Sequence, residues 1–365
     1  MREATGLRVG VVGGGYWGSK HVRTLFALDS VESVVLVEPR PDRASNLLRV
    51  FPRLTTFPDL ASALDDVDAV VIATPPTTHA PLALQAIEGG KHVMVEKPFA
   101  TRLEDALAIR SAAAERGVTL MVGHTFEYHA AVWHLREMVD AGDLGELYYV
   151  DTARLNLGLY QHDANVVVDL APHDISILNY VLRSQPVAVE SWASRHAHRR
   201  LEDVAYLRLF YESPKVIANV HVSWLDPCKV RRMTLVGSSK MVVFDDLAAE
   251  ERIRVHNKGV VEPLETADLT MPPMSYRYGE VVAPYLVVNE PLAIEDEHFV
   301  DCVLTGMAPL TGADNGVAVV EVLEAARLSM LERRVVQVEE VRGAHASPVT
   351  HVPAQRRPLE VREPG

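Results

Sequence analysis

The sequence predicts a two-part α/β chain: a doubly wound parallel sheet first, then an α+β region built on a mainly antiparallel sheet. Three observations carry this prediction. Short β-branched runs alternate with helical patterns over the first 123 residues, and a glycine-rich turn joins the first run to the first helix. Beyond Gly123, strand-like stretches follow one another with few helices between them. A length of 365 residues suits two domains. They are drawn here as 1–123 and 124–342, with 343–365 as a flexible tail.

The first-half runs are Leu7–Val12, Val34–Val37, Asp68–Ala73, His92–Glu96 and Thr119–Gly123. They are almost wholly apolar rather than alternating, as strands covered on both faces must be. Between the last two, Thr101 and Glu104 read as a capping box. Leu103, Ala106, Leu107 and Arg110 follow at helical spacing, and Gly117 is the stop. A helix carrying Val132, Leu135 and Val139 ends at Gly142. Strands are then expected at Glu146–Leu157, Val187–Ser194, Val204–Glu212, Val216–Ser223, Arg231–Val236 and Lys240–Asp245. One helix, near Ala171–Leu182, interrupts them with Ile175, Leu178 and Leu182 on one face, and helices near Ile294–Leu304 and Asn315–Leu331 close the region. The segment from Gly343 has four prolines, three arginines and little periodicity, which reads as a loose or partner-wrapped tail.

Composition narrows the function. Apolar residues at 48% and charged residues at 23% describe a globular chain, not a disordered or fibrous one. A net charge of −13 repels phosphate backbones and anionic lipid, so neither nucleic acid nor a membrane is an expected partner. Cys228 and Cys302 are the only cysteines and form no C-x-x-C, which argues against a disulfide framework and against a zinc or redox site. Leu7–Val12 is too short for a signal-peptide core, and no stretch approaches the ~18 apolar residues of a membrane span, so a cytoplasmic location is expected.

After Val9–Val12 comes Gly13-Gly14-Gly15-Tyr16-Trp17-Gly18, and then a helical pattern of Val22, Leu25 and Phe26. This is G-x-G-x-x-G in the strand–turn–helix setting of a dinucleotide site. Gly13 permits the tight turn, Gly15 the approach of a pyrophosphate, and Gly18 close helix–strand packing, with Tyr16 and Trp17 on the same turn. The helix N-terminus adds amide donors. Glu38 closes the second run and can accept from both adenosine ribose hydroxyls. Its charge favours NAD over NADP, although Arg40 and Arg43 follow closely and could grip a 2′-phosphate if Glu38 turned away; otherwise they are solvated loop charges.

Glu96-Lys97-Pro98 lies at the carboxyl end of a parallel strand, where open α/β sheets bind ligands. Lysine is scarce, seven of 36 basic residues. Lys97 can hold a substrate hydroxyl and shuttle its proton, or be a surface lysine in a turn. Thr74, Pro75, Thr77 and His79, after the preceding run, can line the cofactor beside Glu96 and Lys97; the plainer role is a helix entry capped by Thr77 or Thr78. Further on, Asp169 and His173 are spaced one helical turn apart. If a helix begins near Leu170, Asp169 caps it; equally, its carboxylate can fix the His173 tautomer and raise its basicity, which suits a general base. A metal at this pair needs more ligands. His162 is the nearest candidate without convincing spacing, so no metal is expected. His124, His129 and His134 read as packed or surface side chains.

In this order the glycine turn, Thr74-Pro75-Pro76-Thr77-Thr78-His79, Glu96-Lys97-Pro98 and Asp169-x-x-x-His173 resemble the Gfo/Idh/MocA oxidoreductases over roughly residues 6 to 335. The resemblance implies an N-terminal Rossmann domain and a C-terminal α+β domain with a large, mainly antiparallel open sheet that forms homodimers or homotetramers. It implies NAD(P)-dependent chemistry on sugars and cyclitols. By position Lys97 matches the catalytic lysine and His173 the catalytic histidine, with Asp169 in the active-site motif and a cis Lys97–Pro98 peptide. Gly123-His124-Thr125-Phe126 and Asn156 to His173 are most similar to nucleotide-sugar 3-dehydrogenases and sugar 3-ketoreductases. In place of the glycines many relatives carry before Asp169, this chain has Val166-Val167-Val168, which leaves the shape of the sugar pocket open. Arg154 and Asn156, with Lys229, Arg231 and Arg232, are candidate contacts to a sugar or nucleotide-sugar substrate, or else strand-face charges paired across the sheet. Other readings are a cyclitol dehydrogenase, a keto-deoxysugar or imine reductase, and a non-catalytic cofactor-binding regulator. The presence of both Lys97 and His173 argues against the last.

Overall fold

The computed structural model describes residues 6–158, 160–161, 164–261, 274–287 and 289–343. The tail expected from Gly343 onward, apart from Gly343 itself, lies outside the described residues. The first part runs β1 (Leu7–Val12), α1 (Tyr16–Leu25), β2 (Val31–Val37), α2 (Pro41–Val50), β3 (Thr55–Phe57), α3 (Leu60–Ala63), β4 (Ala69–Ile72), α4 (His79–Glu88), β5 (His92–Glu96), α5 (Leu103–Arg116) and β6 (Leu120–Gly123). Its strands form one parallel sheet in the order β3-β2-β1-β4-β5-β6. Val9, Val11, Leu36, Val70, Val71, Ile72, Val93 and Val95 are buried, so helices cover both faces of the sheet. The strand order reverses at β1/β4, and that switch point opens a crevice at the carboxyl ends of the strands.

Local chemistry departs from expectation at two helix starts. α5 begins at Leu103 with Arg102 as N-cap and no side-chain capping bond, so the Thr101–Glu104 capping box does not form. Thr101 stands one residue too early, and Glu104 pairs with Arg102 instead. Edge strand β3 escaped prediction because Thr55–Phe57 is only half covered and carries no apolar run.

The second part runs α6 (Ala130–Asp140), β7 (Leu147–Leu157), α7 (Val166–Leu182), β8 (Ala188–Ser194), β9 (Val204–Glu212), β10 (Lys215–Ser223), β11 (Leu225–Gly237), β12 (Met241–Asp245), β13 (Ile253–Val261), β14 (Ser275–Val282), α8 (Pro291–Thr305), α9 (Ala313–Glu332), β15 (Val336–Gln337) and α10 (Val338–Gly343). Nine strands form one sheet in the order β14-β13-β12-β11-β7-β10-β9-β8-β15. All neighbours are antiparallel except β7 and β10. Helices α7 and α9 pack on one face. The other leaves Tyr149, Trp192, Tyr206 and Ile217 exposed. The sequence did not reveal β14, because nearly every residue in it is exposed and no apolar face alternates.

Helix α7 starts at Val166, a full turn before the expected position. Asn165 is its N-cap, its side chain accepting from Val168 N at 3.0 Å. Pro172 therefore lies inside the helix, and Asp169 sits in the first turn rather than capping it. Among the described residues no helix is long and apolar enough to cross a membrane.

A Cβ on Gly18 would stand 1.7 Å from the Gly13 carbonyl oxygen. Helix propensity favours alanine there by ~1 kcal/mol, so sterics and propensity point in opposite directions. Gly18→Ala is expected to lower stability by about 3 kcal/mol or more, read as a fall in the urea midpoint. An unchanged or raised midpoint would show that α1 does not pack this closely on β1.

Candidate active site

The glycine turn is shaped by its backbone. Gly13 has φ +102°, and a Cβ there would meet Ala73 O at 2.7 Å. The N–H of Gly14 donates to Glu38 Oε2 at 2.7 Å and that of Arg40 to Glu38 Oε1 at 3.0 Å, so two amides fix the carboxylate at the end of β2. Arg43 Nη1 lies 3.9 Å from the same carboxylate. Beside Gly15 the nearest atom to an added Cβ is Arg43 Nη1 at 3.8 Å, which leaves that side open. As N-cap of α1, Gly15 has no side chain to accept the first-turn amides, and these remain for an anion. The arrangement fits a dinucleotide pyrophosphate. Tyr16 and Trp17 are exposed on the first turn, with Lys20 Nζ 4.7 and 5.8 Å from their ring centroids.

At the end of β4, Pro75 and Thr77 are exposed, and the Thr78 hydroxyl lies 2.7 Å from both Thr74 Oγ1 and Pro75 O. Neither Thr77 nor Thr78 caps α4 through its side chain. His79 does not line the cleft. It is buried, with Nδ1 2.9 Å from Pro98 O and Nε2 2.9 Å from Thr74 O, and so ties this loop to the cis Lys97–Pro98 peptide.

Glu96 is also turned inward. Its Oε2 accepts the Lys97 N–H at 3.0 Å, and Oε1 lies 3.2 Å from His21 Nε2, whose Nδ1 is 2.7 Å from Asp296 Oδ1 on α8. Burial by itself would push the His21 imidazole down, but the Asp296 and Glu96 carboxylates raise its pKa well above the ordinary value. His21 is thus a buried imidazolium that ties α1, β5 and α8 together.

Lys97 Nζ donates to Asp169 O at 2.8 Å and to Asp169 Oδ1 at 3.2 Å, while Trp224 Nε1 donates to Asp169 Oδ2 at 3.1 Å. The expected Asp169–His173 pair is absent, because the carboxylate on the first turn of α7 is taken by the Lys97 amine and the indole N–H. His173 Nδ1 is buried without a partner, and its ring meets Phe126 edge-on at 5.2 Å. Burial first, then the cations Lys97, Arg154 and Arg231, holds His173 well below the ordinary imidazole range, so it is neutral rather than made more basic.

The candidate substrate residues divide. Arg154 is buried in a two-bond pair with Asp174, at 2.8 and 3.2 Å. Arg231 stands opposite Arg154 in the β7–β11 register and binds Asp246 at 3.1 Å. Asn156 Oδ1 and Thr152 Oγ1 are buried without partners. Lys229 and Arg232 are exposed, and Arg232, the neighbour of Arg231 along β11, projects to the opposite face. His129 is packed, accepting from Ala131 N at 3.0 Å, and His134 lies near Glu137 on α6. His162 lies outside the described residues, and among those described no group of His, Cys, Asp and Glu could hold a metal.

Sequence reasoning missed Trp224, the His21 clamp and His124. The last was legible by the rule that selected Lys97, since it too leaves the carboxyl end of a parallel strand. Burial lowers the His124 pKa to about 4, with Lys97 acting in the same direction and Glu96 opposing.

Residues 7–124 match an oxidoreductase family described by its NAD-binding Rossmann fold, and residues 132–243 match the GFO/IDH/MocA C-terminal domain. The chain belongs to the Gfo/Idh/MocA oxidoreductase family. Within this family it is 35% identical over 203 residues to inositol 2-dehydrogenase 3 of Saccharopolyspora erythraea, covering 54% of this chain and 60% of the relative. To UDP-N-acetylglucosamine 3-dehydrogenase of Acidithiobacillus ferrooxidans it is 32% identical over 186 residues, covering 51% and 57%. Thus the chain spans less than two thirds of the length of these curated relatives. Among solved structures, GenD2 from gentamicin A biosynthesis, in complex with NAD, superposes with a TM-score of 0.76 at 26% identity, covering 91% of this chain and 96% of that one.

The neutral imidazoles set an acid limit on stability. An unfolded chain protonates His124 near its ordinary 6.5, whereas the folded chain resists down to about 4. Its contribution is therefore present above pH 6.5 and is lost as pH falls through that window. His124→Phe is expected to flatten the pH dependence of the urea midpoint over this range. An unchanged slope would mean that His124 is protonated in the fold.

Proposed function

We propose that this chain is an NAD-dependent oxidoreductase that transfers hydride between a ring carbinol or ketone of a sugar and nicotinamide, with a nucleotide sugar, reacting at C3, as the preferred substrate. The reading rests on one observation: the Lys97 amine, from the end of β5, is held at 2.8 and 3.2 Å by Asp169 on α7, one helical turn from His173 on the same helix. The two sheets then serve as cofactor and substrate domains, divided at Gly123.

Glu38, fixed by the Gly14 and Arg40 amides, carries a negative charge at the end of β2 that receives ribose hydroxyls and repels a 2′-phosphate. The Lys97 amine, positioned by Asp169, donates to the reacting oxygen and polarises its C–O bond. Neutral His173 takes the hydroxyl proton. Because burial and nearby cations disfavour the imidazolium, the proton is passed on to solvent water rather than stored, and in the reverse direction protonated His173, taking its proton from water, is a strong acid toward the oxygen of a ketone. Nicotinamide, when bound, supplies the hydride acceptor or donor. Asp169 acts through Lys97 and is a positioning residue. The exposed sheet face bearing Tyr149, Trp192, Tyr206 and Ile217 is the surface on which a homodimer or homotetramer would pair.

A cyclitol dehydrogenase is the second reading, favoured by the 35% identity to an inositol 2-dehydrogenase. Turnover of UDP-N-acetylglucosamine against myo-inositol with NAD, followed by the absorbance of reduced nicotinamide, separates the two. An enzyme inert on both rings and on their ketones would sink the oxidoreductase reading. Lys97→Met and His173→Ala should each lower turnover on the order of 10²-fold or more while leaving NAD affinity nearly intact. Full activity in either variant removes that residue from the mechanism. NAD should bind at least about tenfold more tightly than NADP by thermal shift or calorimetry, a difference of ~1.4 kcal/mol. The reverse preference would show that Glu38 does not govern the ribose.

A further inference from the structure

We propose that His124 contacts the substrate, hydrogen-bonding the hydroxyl next to the one that reacts, so that the substrate is a vicinal diol or the corresponding hydroxyketone. This rests on the oxidoreductase reading above and specifies what that site selects.

Placement comes from the sheet register. Glu96 pairs with Gly123, the last register pair of two neighbouring parallel strands, so Lys97 and His124 are the next residues out at the same carboxyl edge. The His124 N–H donates to Val122 O at 2.7 Å, which turns the chain sharply as it leaves β6. Two residues on, Phe126 packs against the edge of His173. The segment that carries His124 is thus also a wall of the proposed catalytic pair.

The side chain's hydrogen-bonding state sets it apart. Outside the proposed catalytic pair, each of the other buried histidines is engaged. His21 sits between Glu96 and Asp296, and His79 between two carbonyls. His129 meets Ala131 N and Arg252, and His298 meets Leu310 N. His124 is 1% exposed, yet among the described residues neither of its ring nitrogens has a partner. A buried polar group left unpaired in a fold that pairs His21, His79, His129 and His298, and leaves open only the Nδ1 of His173 besides, is retained for something other than packing. A neutral imidazole presents one N–H and one lone pair, the complement of a hydroxyl that both accepts and donates. Thr152 Oγ1 and Asn156 Oδ1, unpartnered on alternate residues of β7 that share a face with Arg154, extend the same demand for hydroxyl groups.

The test compares wild type, His124→Phe and His124→Gln on whichever ring the wild type turns over, and on its analogue deoxygenated at the carbon beside the reacting one. Phenylalanine fills the space without polar atoms, so the melting temperature of His124→Phe should equal or exceed that of wild type. Its kcat/KM on the diol should fall on the order of tenfold to a hundredfold, and His124→Gln should recover part of the loss. Wild type should discriminate against the deoxy analogue by a similar factor, and His124→Phe should not discriminate. Wild-type activity in His124→Phe, an equal deoxy penalty in both enzymes, or a lower melting temperature in both variants would overturn the proposal while leaving wild-type turnover intact. A wild type inert on every ring instead overturns the oxidoreductase reading, and this proposal falls with it.

Discussion

The arrangement turns on the contact between the Lys97 amine and Asp169, which joins the carboxyl edge of the parallel sheet to the first turn of α7. Around it each partner is held in turn. Glu96 grips the Lys97 backbone, His21 grips Glu96, and Asp296 on α8 grips His21. On the other side Trp224, just beyond β10, holds the second carboxylate oxygen of Asp169. A lysine on a flexible stem would otherwise sample many rotamers. Fixing it by a carbonyl and a carboxylate trades that entropy for a defined position before any ligand arrives.

Electrostatics in the crevice follow from pairing. Lys97 is matched by Asp169, Arg154 by Asp174, and Arg231 by Asp246. Two adjacent guanidiniums in register across β7 and β11 would repel if bare, and each carries its own carboxylate. What is left is a set of fixed dipoles and charges around neutral imidazoles. The same residue type therefore takes opposite states within one site. His21, between two acids, is charged, while His173, among cations, is neutral.

The nine-stranded sheet serves as the floor of the crevice. Thr152, Arg154 and Asn156 alternate along β7 toward α7, while Tyr149 and Asp151 point the other way. One strand thus supplies the crevice on one face and an exposed aromatic face on the other.

Much of the first sheet was written in local pattern. Apolar runs such as Leu7–Val12 and His92–Glu96, short, β-branched and bounded by turn residues, read as doubly covered strands, and the glycines at 13, 15 and 18 specify their own turn. β14 had no such signature, because an exposed strand carries no contrast between its faces. Lys97, His173 and Asp169 were legible as chemistry, through their residue types and their order along the chain. Their partners were not. Asp169 faces Lys97 rather than His173, and His124 is packed as expected but without a hydrogen-bond partner, because a hydrogen bond is decided by which atoms the packing brings within about 3 Å, and sequence spacing constrains that only within one helix or strand. Periodicity and turn chemistry act over a few residues and so determined the sheets. Contacts between residues 72, 75 and 275 positions apart exist only once those sheets and α1, α7 and α8 are packed, and that packing alone decided the state of each buried imidazole.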